Sequence, residues 1–169
     1  HVSLPLHILN DLLGFNIGEG NFKGKINLTP LSDSSITSQE DDDAIYSFKG
    51  WKKVHLNPSQ QVETFLQWKE AIKTIKGIHD VILISNYMAL KRSMDDQEIV
   101  SPLEVIQWSI ENATVPLIGL YGSFVREGGH LSIAPSALEQ GKKSAEIIVK
   151  LIENDIYINQ IPAITSNDF

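Results

Sequence analysis

The chain contains no cysteine, and that absence removes several chemistries at once. A disulfide framework, a thiolate nucleophile and a cysteine-ligated zinc site are all excluded. Cysteine-free composition is compatible with an oxidising compartment without requiring one. Basic residues are also scarce: 14 Lys and Arg against 21 Asp and Glu give a formal net charge of −7. A general nucleic-acid binder depends on cationic contacts to phosphate, so that class is not expected, and docking on anionic lipid is disfavoured for the same reason. No run approaches the ~20 apolar residues of a membrane span. The opening His1-Val2-Ser3-Leu4-Pro5 lacks the basic region and apolar core of a secretory leader. What remains, in 169 residues that are 42% hydrophobic and 21% charged, is enough for one globular domain with a real core.

Leu6, Leu9, Leu12 and Leu13 keep helical spacing, and Gly14 is expected to stop that helix. Gly18, Gly20 and Gly24 mark a loose connection. Residues 1–24 are therefore expected to be an N-terminal helix and linker, and residues 25–169 an α/β lobe. Lys25 to Leu31 reads as the first strand, followed by a polar loop over Ser32–Ser38. The acidic run Glu40-Asp41-Asp42-Asp43 suits the start of a short, solvated helix ending near Gly50, because carboxylates favour helix N-termini. Trp51 to Leu56 is a second strand candidate closed by Asn57-Pro58, with Ser59 expected to cap the next helix.

Phe65, Trp68, Ile72 and Ile75 then step by three and four along one helix face, and Gly77 stops it. Val81-Ile82-Leu83-Ile84-Ser85 is the continuous apolar run of a strand buried on both faces of a parallel sheet. Ser101-Pro102 opens another helix with Leu103, Ile106 and Ile110 on one face. Val115 to Leu120 is the next strand, and Gly128-Gly129 turns into a short one over His130–Ile133. A long helix follows, striped by Leu138, Gly141, Ala145, Ile148 and Ile152. Ile161-Pro162-Ala163-Ile164 suits an edge strand, since proline cannot donate to the ladder. Alternating strands and helices predict a three-layer, doubly wound, mostly parallel sheet.

Ligands of open α/β sheets bind outside the carboxyl ends of the strands. That rule selects Ser32–Ser38, Asn86-Tyr87 and Tyr121-Gly122-Ser123. Their hydroxyls, amides and rings suit a small polar or aromatic ligand held by hydrogen bonds and stacking. The competing reading is that these are ordinary polar loops.

Enzymatic signatures are weaker. Gly18-x-Gly20 lacks the third glycine and the preceding strand of a dinucleotide site. No phosphate-binding Gly-Lys-Ser/Thr loop and no Gly-x-Ser-x-Gly elbow is present. His1, His7, His55, His79 and His130 have no metal-ligand spacing, and structural or surface roles are expected for them. Glu40–Asp43 lacks the spacing and central glycine of a calcium loop. Met94-Asp95-Asp96 reads as a solvated acidic turn. Trp51, Trp68 and Trp108 are better read as packing residues than as ligand platforms. No catalytic residue, metal or cofactor is expected.

The second half carries a resemblance. Val115-Pro116-Leu117-Ile118-Gly119, Val125-Arg126-Glu127-Gly128-Gly129, Glu139-Gln140-Gly141-Lys142-Lys143-Ser144-Ala145 and Ile161-Pro162 occur in an order that resembles the C-terminal half of the bacterial ABC-transporter substrate-binding family. Leu31-Ser32-Asp33-Ser34-Ser35 looks like the first strand and serine-rich loop of that family's second lobe. Phe65-x-x-Trp68-Lys69 and His79-Asp80-Val81-Ile82-Leu83 fit the helix and strand that follow. Members include tryptophan and other amino-acid binders built from two lobes like type I periplasmic binding proteins.

The resemblance implies a periplasmic or extracytoplasmic protein, membrane-associated in some members. It captures a small molecule in a cleft between lobes and delivers it to a transporter permease. Related domains are input modules of membrane-bound signalling proteins, which is the first alternative; a small α/β enzyme is the second. The ligand contacts expected here are Ser34, Ser35, Asn86, Tyr87, Tyr121 and Ser123, with hydrogen bonding from Ser34, Ser35 and Asn86 and stacking from Tyr87 or Tyr121. Family members run to about 300 residues, the size of two ordinary domains. The chain is thus expected to correspond to one lobe with half a binding site, whose apolar surface favours self-association when isolated.

Overall fold

The computed structural model describes residues 3–18, 25–77, 80–134 and 137–153. The predicted edge strand at Ile161–Ile164, His1, His79 and the glycines at 20 and 24 lie outside them. The chain divides into two compact units, one covering Val2–Ala134 and one containing residues 135–169.

The larger unit is an α/β fold on a five-stranded sheet. Its strands are β1 (Ile26–Asp33), β2 (Val54–Leu56), β3 (Gln60–Val62), β4 (Asp80–Ile84) and β5 (Leu117–Gly119). Every strand pairing is parallel, in the order β2-β1-β4-β5, with β3 also on β1. β2 and β3 share one side of β1: Val54–Leu56 pairs with Ile26–Leu28, and Gln60–Val62 with Leu31–Asp33. They form one edge strand broken at 57–59, where Pro58 has no N–H to give. Asn57 bridges the break by donating its N–H to the Leu28 carbonyl at 2.9 Å. The chain steps from β1 to one side, then returns to pair β4 on the other, so the direction of winding reverses between β1 and β4.

Helices cover both faces. On one lie α3 (Phe65–Thr74) and α4 (Pro102–Asn112). Phe65, Trp68, Ile72 and Ile75 pack there with Val105, Ile106, Leu31, Ile82 and Ile84. On the other lie α1 (Ser3–Gly18) and α2 (Ile36–Ser47). Leu6, Leu9 and Ile45 pack there with Leu28, Val81, Leu83 and Ile118. Alternation along β4 produces this division, Ile82 and Ile84 facing one layer, Val81 and Leu83 the other. Between β5 and the next helical turn, α5 (Ser123–Arg126), Gly119 makes room for Phe124: a Cβ there would lie 2.4 Å from the Phe124 Cβ. Gly128 follows with φ 105, a left-handed turn suited to glycine. The smaller unit contributes α6 (Ala137–Glu153), the long helix that the apolar stripe predicts.

Several boundaries differ from the sequence expectation. Gly14 does not end α1, since one internal glycine costs a helix only about 1 kcal/mol. The loop expected over Ser32–Ser38 shrinks to Ser34-Ser35: pairing with β3 carries β1 through Asp33, and Ser35 caps α2. Glu40–Asp43 therefore falls inside α2 instead of opening it, and Asp41 and Asp42 are buried where solvated residues were expected. β2 begins at Val54, not Trp51. Ser59 does not cap α3, because Gln60–Val62 is taken by β3. The cap is Thr64, in a reciprocal box with Gln67: the Gln67 N–H donates to Thr64 Oγ1 at 3.2 Å, and Gln67 Oε1 accepts from the Thr64 N–H at 3.1 Å. Thr64→Ala should cost about 1 kcal/mol of stability, measurable as a lower urea midpoint with an unchanged slope. The buried stripe of α4 is Val105, Ile106 and Ser109, and Leu103 is exposed. β5 is shorter than Val115–Leu120, and the strand expected over His130–Ile133 reduces to a single bridge from Ser132 to Gly119.

Candidate functional site

In open α/β sheets ligands bind outside the carboxyl ends of the strands where the direction of winding reverses, which here is the point between β1 and β4. Asp33, fully buried at the end of β1, organises it. Its Oδ1 accepts from the Ser35 N–H at 3.1 Å and from the Ser38 hydroxyl at 2.6 Å. Its Oδ2 accepts from the Ala89 N–H at 2.9 Å, tying the loop after β4 to the loop after β1. The Asp33 N–H completes the tie by donating to the Asn86 carbonyl at 2.8 Å. Burial alone would push the Asp33 carboxyl up. The bonds from Ser35, Ser38 and Ala89 outweigh it and hold the group below the usual carboxylate range.

Ser35 and Asn86, both half-buried, meet at this point: Asn86 Nδ2 donates to Ser35 Oγ at 3.3 Å. Asn86 Oδ1 accepts from the Tyr87 and Met88 N–H groups at 2.9 and 3.3 Å, which fixes the loop after β4. Ser34 is exposed beside them. Tyr87 is placed differently from the stacking role expected of it. Its ring is buried in the core against Trp68, centroids 6.3 Å apart, and its hydroxyl donates to Glu127 Oε2 at 2.5 Å. Tyr121 and Ser123 are half-buried at the end of β5. The Tyr121 hydroxyl donates to Asp41 Oδ1 at 2.5 Å, joining the end of β5 to α2. Burial and the adjacent carboxylates push both phenols well above their ordinary range, so each is a donor at neutral pH.

Of the six predicted residues, then, the structure joins Ser35 to Asn86 by a hydrogen bond, sets Ser34 beside them, and lines Tyr121 and Ser123 along the neighbouring strand end. The organising residues are Asp33, Asp41 and Glu127: Asp33 lies in the Ser32–Ser38 segment without being singled out there, Asp41 in a run expected to be solvated, and Glu127 is not among the expected contacts. An aspartate closing an apolar strand and followed by Ser-Ser is a recognisable capping pattern, and that signal could have found Asp33. The tryptophans have structural partners. Trp68 Nε1 donates to Ser109 Oγ at 2.8 Å, Trp51 Nε1 to the Ile45 carbonyl at 3.2 Å, and Trp108 stands edge-on to Phe65 at 6.0 Å. His7, His55 and His130 are exposed. Among the described residues no three His, Asp or Glu gather to hold a metal, and no helix is long and apolar enough to cross a membrane.

The chain is an α/β protein with a parallel sheet, whose switch point carries hydroxyl and amide side chains. Compared with family models, curated proteins and solved structures, the chain matches none.

Proposed function

We propose that the chain is a binding module and not an enzyme: one lobe of an extracytoplasmic solute-binding protein serving an ABC-type transporter. Its switch point supplies one wall of the site for a small polar solute such as an amino acid. The observation that carries this reading is the state of Asp33. Both its oxygens are occupied by donors from the two loops, so it positions Ser35 and Asn86 and is not free to act as a base. The groups left there are hydroxyls and an amide, which bind by hydrogen bonding, and among the described residues none of them is bonded to a histidine or lysine that would activate it as a nucleophile. Ser34, Ser35, Asn86, Tyr121 and Ser123 are the proposed contacts, with Tyr121 as the ring available to a ligand. A second lobe would close over them by a hinge and present the loaded protein to a permease.

Thermal-shift screening against amino acids and small organic solutes tests the proposal. A solute at about 100 times its Kd stabilises the folded state by about 2.7 kcal/mol, which at this chain length raises Tm by several degrees. Asn86→Ala should abolish that rise while the variant remains folded. A well-folded protein whose Tm responds to no solute would count against a binding role.

A further inference from the structure

The break in the edge strand leaves part of β1 without a neighbour. Val54–Leu56 pairs along β1 as far as Leu28, and Gln60–Val62 resumes at Leu31. Thr29 and Pro30 lie in the gap. Thr29 has the strand parity of Leu31, so its side chain faces the layer that α3 covers. A cavity of about 400 Å³ is found there, inside the range of about 300–1,000 Å³ usual for small-molecule sites. Its walls are the segment 57–60, the C-terminal end of α3, and Asp80 at the start of β4, with Thr29 contributed by β1.

The polar groups on these walls are only partly matched within the protein. Thr29 is 3% exposed; its Oγ1 accepts from Asn57 Nδ2 at 3.0 Å, and among the described residues no acceptor takes its hydroxyl proton. A buried donor left over in this way favours a ligand that can answer it. Asp80 Oδ1 accepts from Asn27 Nδ2 at 2.9 Å, and no described group donates to Oδ2. Asn57 Oδ1 and the half-buried Gln60 amide add an acceptor and a group that both gives and takes. Lys76, just past α3, supplies one cation to set against the Asp80 carboxylate, so the pair asks for no net charge on the ligand. Pro58 and Ile75 add apolar surface, and no aromatic ring lines the cavity for a flat ligand to stack on.

Donors and acceptors thus mix around a partly apolar hollow. Hydroxyl groups give and take hydrogen bonds alike, so several of them on a saturated carbon frame match this set, the frame lying on Pro58 and Ile75. We propose that the cavity binds a neutral polyol of monosaccharide size through Thr29, Asn57, Gln60 and Asp80. It lies toward the amino end of the sheet, away from Ser35 and Asn86, and stands independently of the solute reading.

Calorimetric titration and amide NMR of the full chain with D-glucose, D-galactose, D-ribose and myo-inositol test the proposal, with glycine and acetate as charged comparators. At least one of these polyols should bind saturably and shift the amide resonances of Thr29, Asn57 and Lys76, leaving those of Ser35 and Asn86 in place. Thr29→Val, which keeps the shape and removes the hydroxyl, and Asp80→Asn should each raise its Kd tenfold or more. If Thr29→Val fails to fold, Gln60→Ala and Lys76→Ala, at partly or fully exposed side chains, take its place and should weaken binding as well. Failure of all four polyols to bind the folded wild-type chain would overturn the proposal. So would an unchanged Kd in the folded variants, shifts centred on Ser35 and Asn86, or tighter binding of glycine or acetate at the same amides.

Discussion

Asp33→Ala should lower stability by about 3 kcal/mol, because three donors lose their acceptor at once. The Ser35 N–H, the Ser38 hydroxyl and the Ala89 N–H all converge on this carboxylate. With it gone, the cap of α2 and the loop after β4 lose their common anchor, and any solute-dependent rise in Tm should vanish as well. Asp33→Asn keeps one acceptor oxygen and should cost about half as much. The effect depends on pH in a defined direction. Folding holds the Asp33 carboxyl below its unfolded value of 3.8. Its contribution is therefore complete above that value and is lost as pH falls through the lower, folded one. Urea denaturation of wild type and Asp33→Ala at pH 7 and pH 3 reads both quantities. The gap between them should be wide at pH 7 and narrower at pH 3; an equal gap would show that the ionised carboxylate contributes nothing.

Trp68→Ala should be the most damaging single change, at about 4 kcal/mol, or roughly 12 °C in Tm for a chain of this size. Trp68 is fully exposed to packing and not at all to solvent, at 0% exposure. It sits between α3, α4 and the Tyr87 ring, so its removal leaves a cavity bounded by three elements. Trp68→Phe separates the two contributions. It retains most of the volume and loses the bond from Nε1 to Ser109, itself satisfied by its bond to the Val105 carbonyl at 2.7 Å. That variant should cost about 1 to 2 kcal/mol. Since the Tyr87 hydroxyl reaches Glu127, loss of Trp68 should also loosen the segment after β5, seen as faster amide exchange at Phe124 and Gly129.

Much of the framework is legible in the sequence because it rests on period and burial. Val81–Ile84 is apolar on both faces and could only be a central strand, and the Phe65–Ile75 stripe lands buried at every position named. Boundaries were harder, because they are decided by partners far along the chain. Residues 32 and 33 extend β1 only because Gln61 and Val62 arrive beside them. The acidic run illustrates the same limit. Glu40–Asp43 suits a solvated helix start by composition, yet Tyr121 and Gln61 reach Asp41 and Asp42 from elements 80 and 19 residues away. At the switch point, the rule of strand carboxyl ends names Ser35 and Asn86, which the structure joins by a hydrogen bond. It had no means of seeing that Tyr87 turns into the core, because that depends on Trp68 and Glu127 waiting there.

The break in the edge strand at 57–59 also governs what a second copy of the chain could do to the first. An unbroken edge offers a ladder of free N–H and C=O groups, the usual template for runaway strand pairing. Here that edge is cut into two three-residue pieces by a segment containing Pro58, and one of the intervening N–H groups is already spent on Leu28. Lys52 and Lys53 stand exposed at the entrance to the first piece. At the opposite edge, Gly119 exchanges hydrogen bonds with Leu131 and Ile133, so the segment past Gly129 covers β5. Both borders of the described sheet thus offer an incoming strand little continuous backbone to pair with.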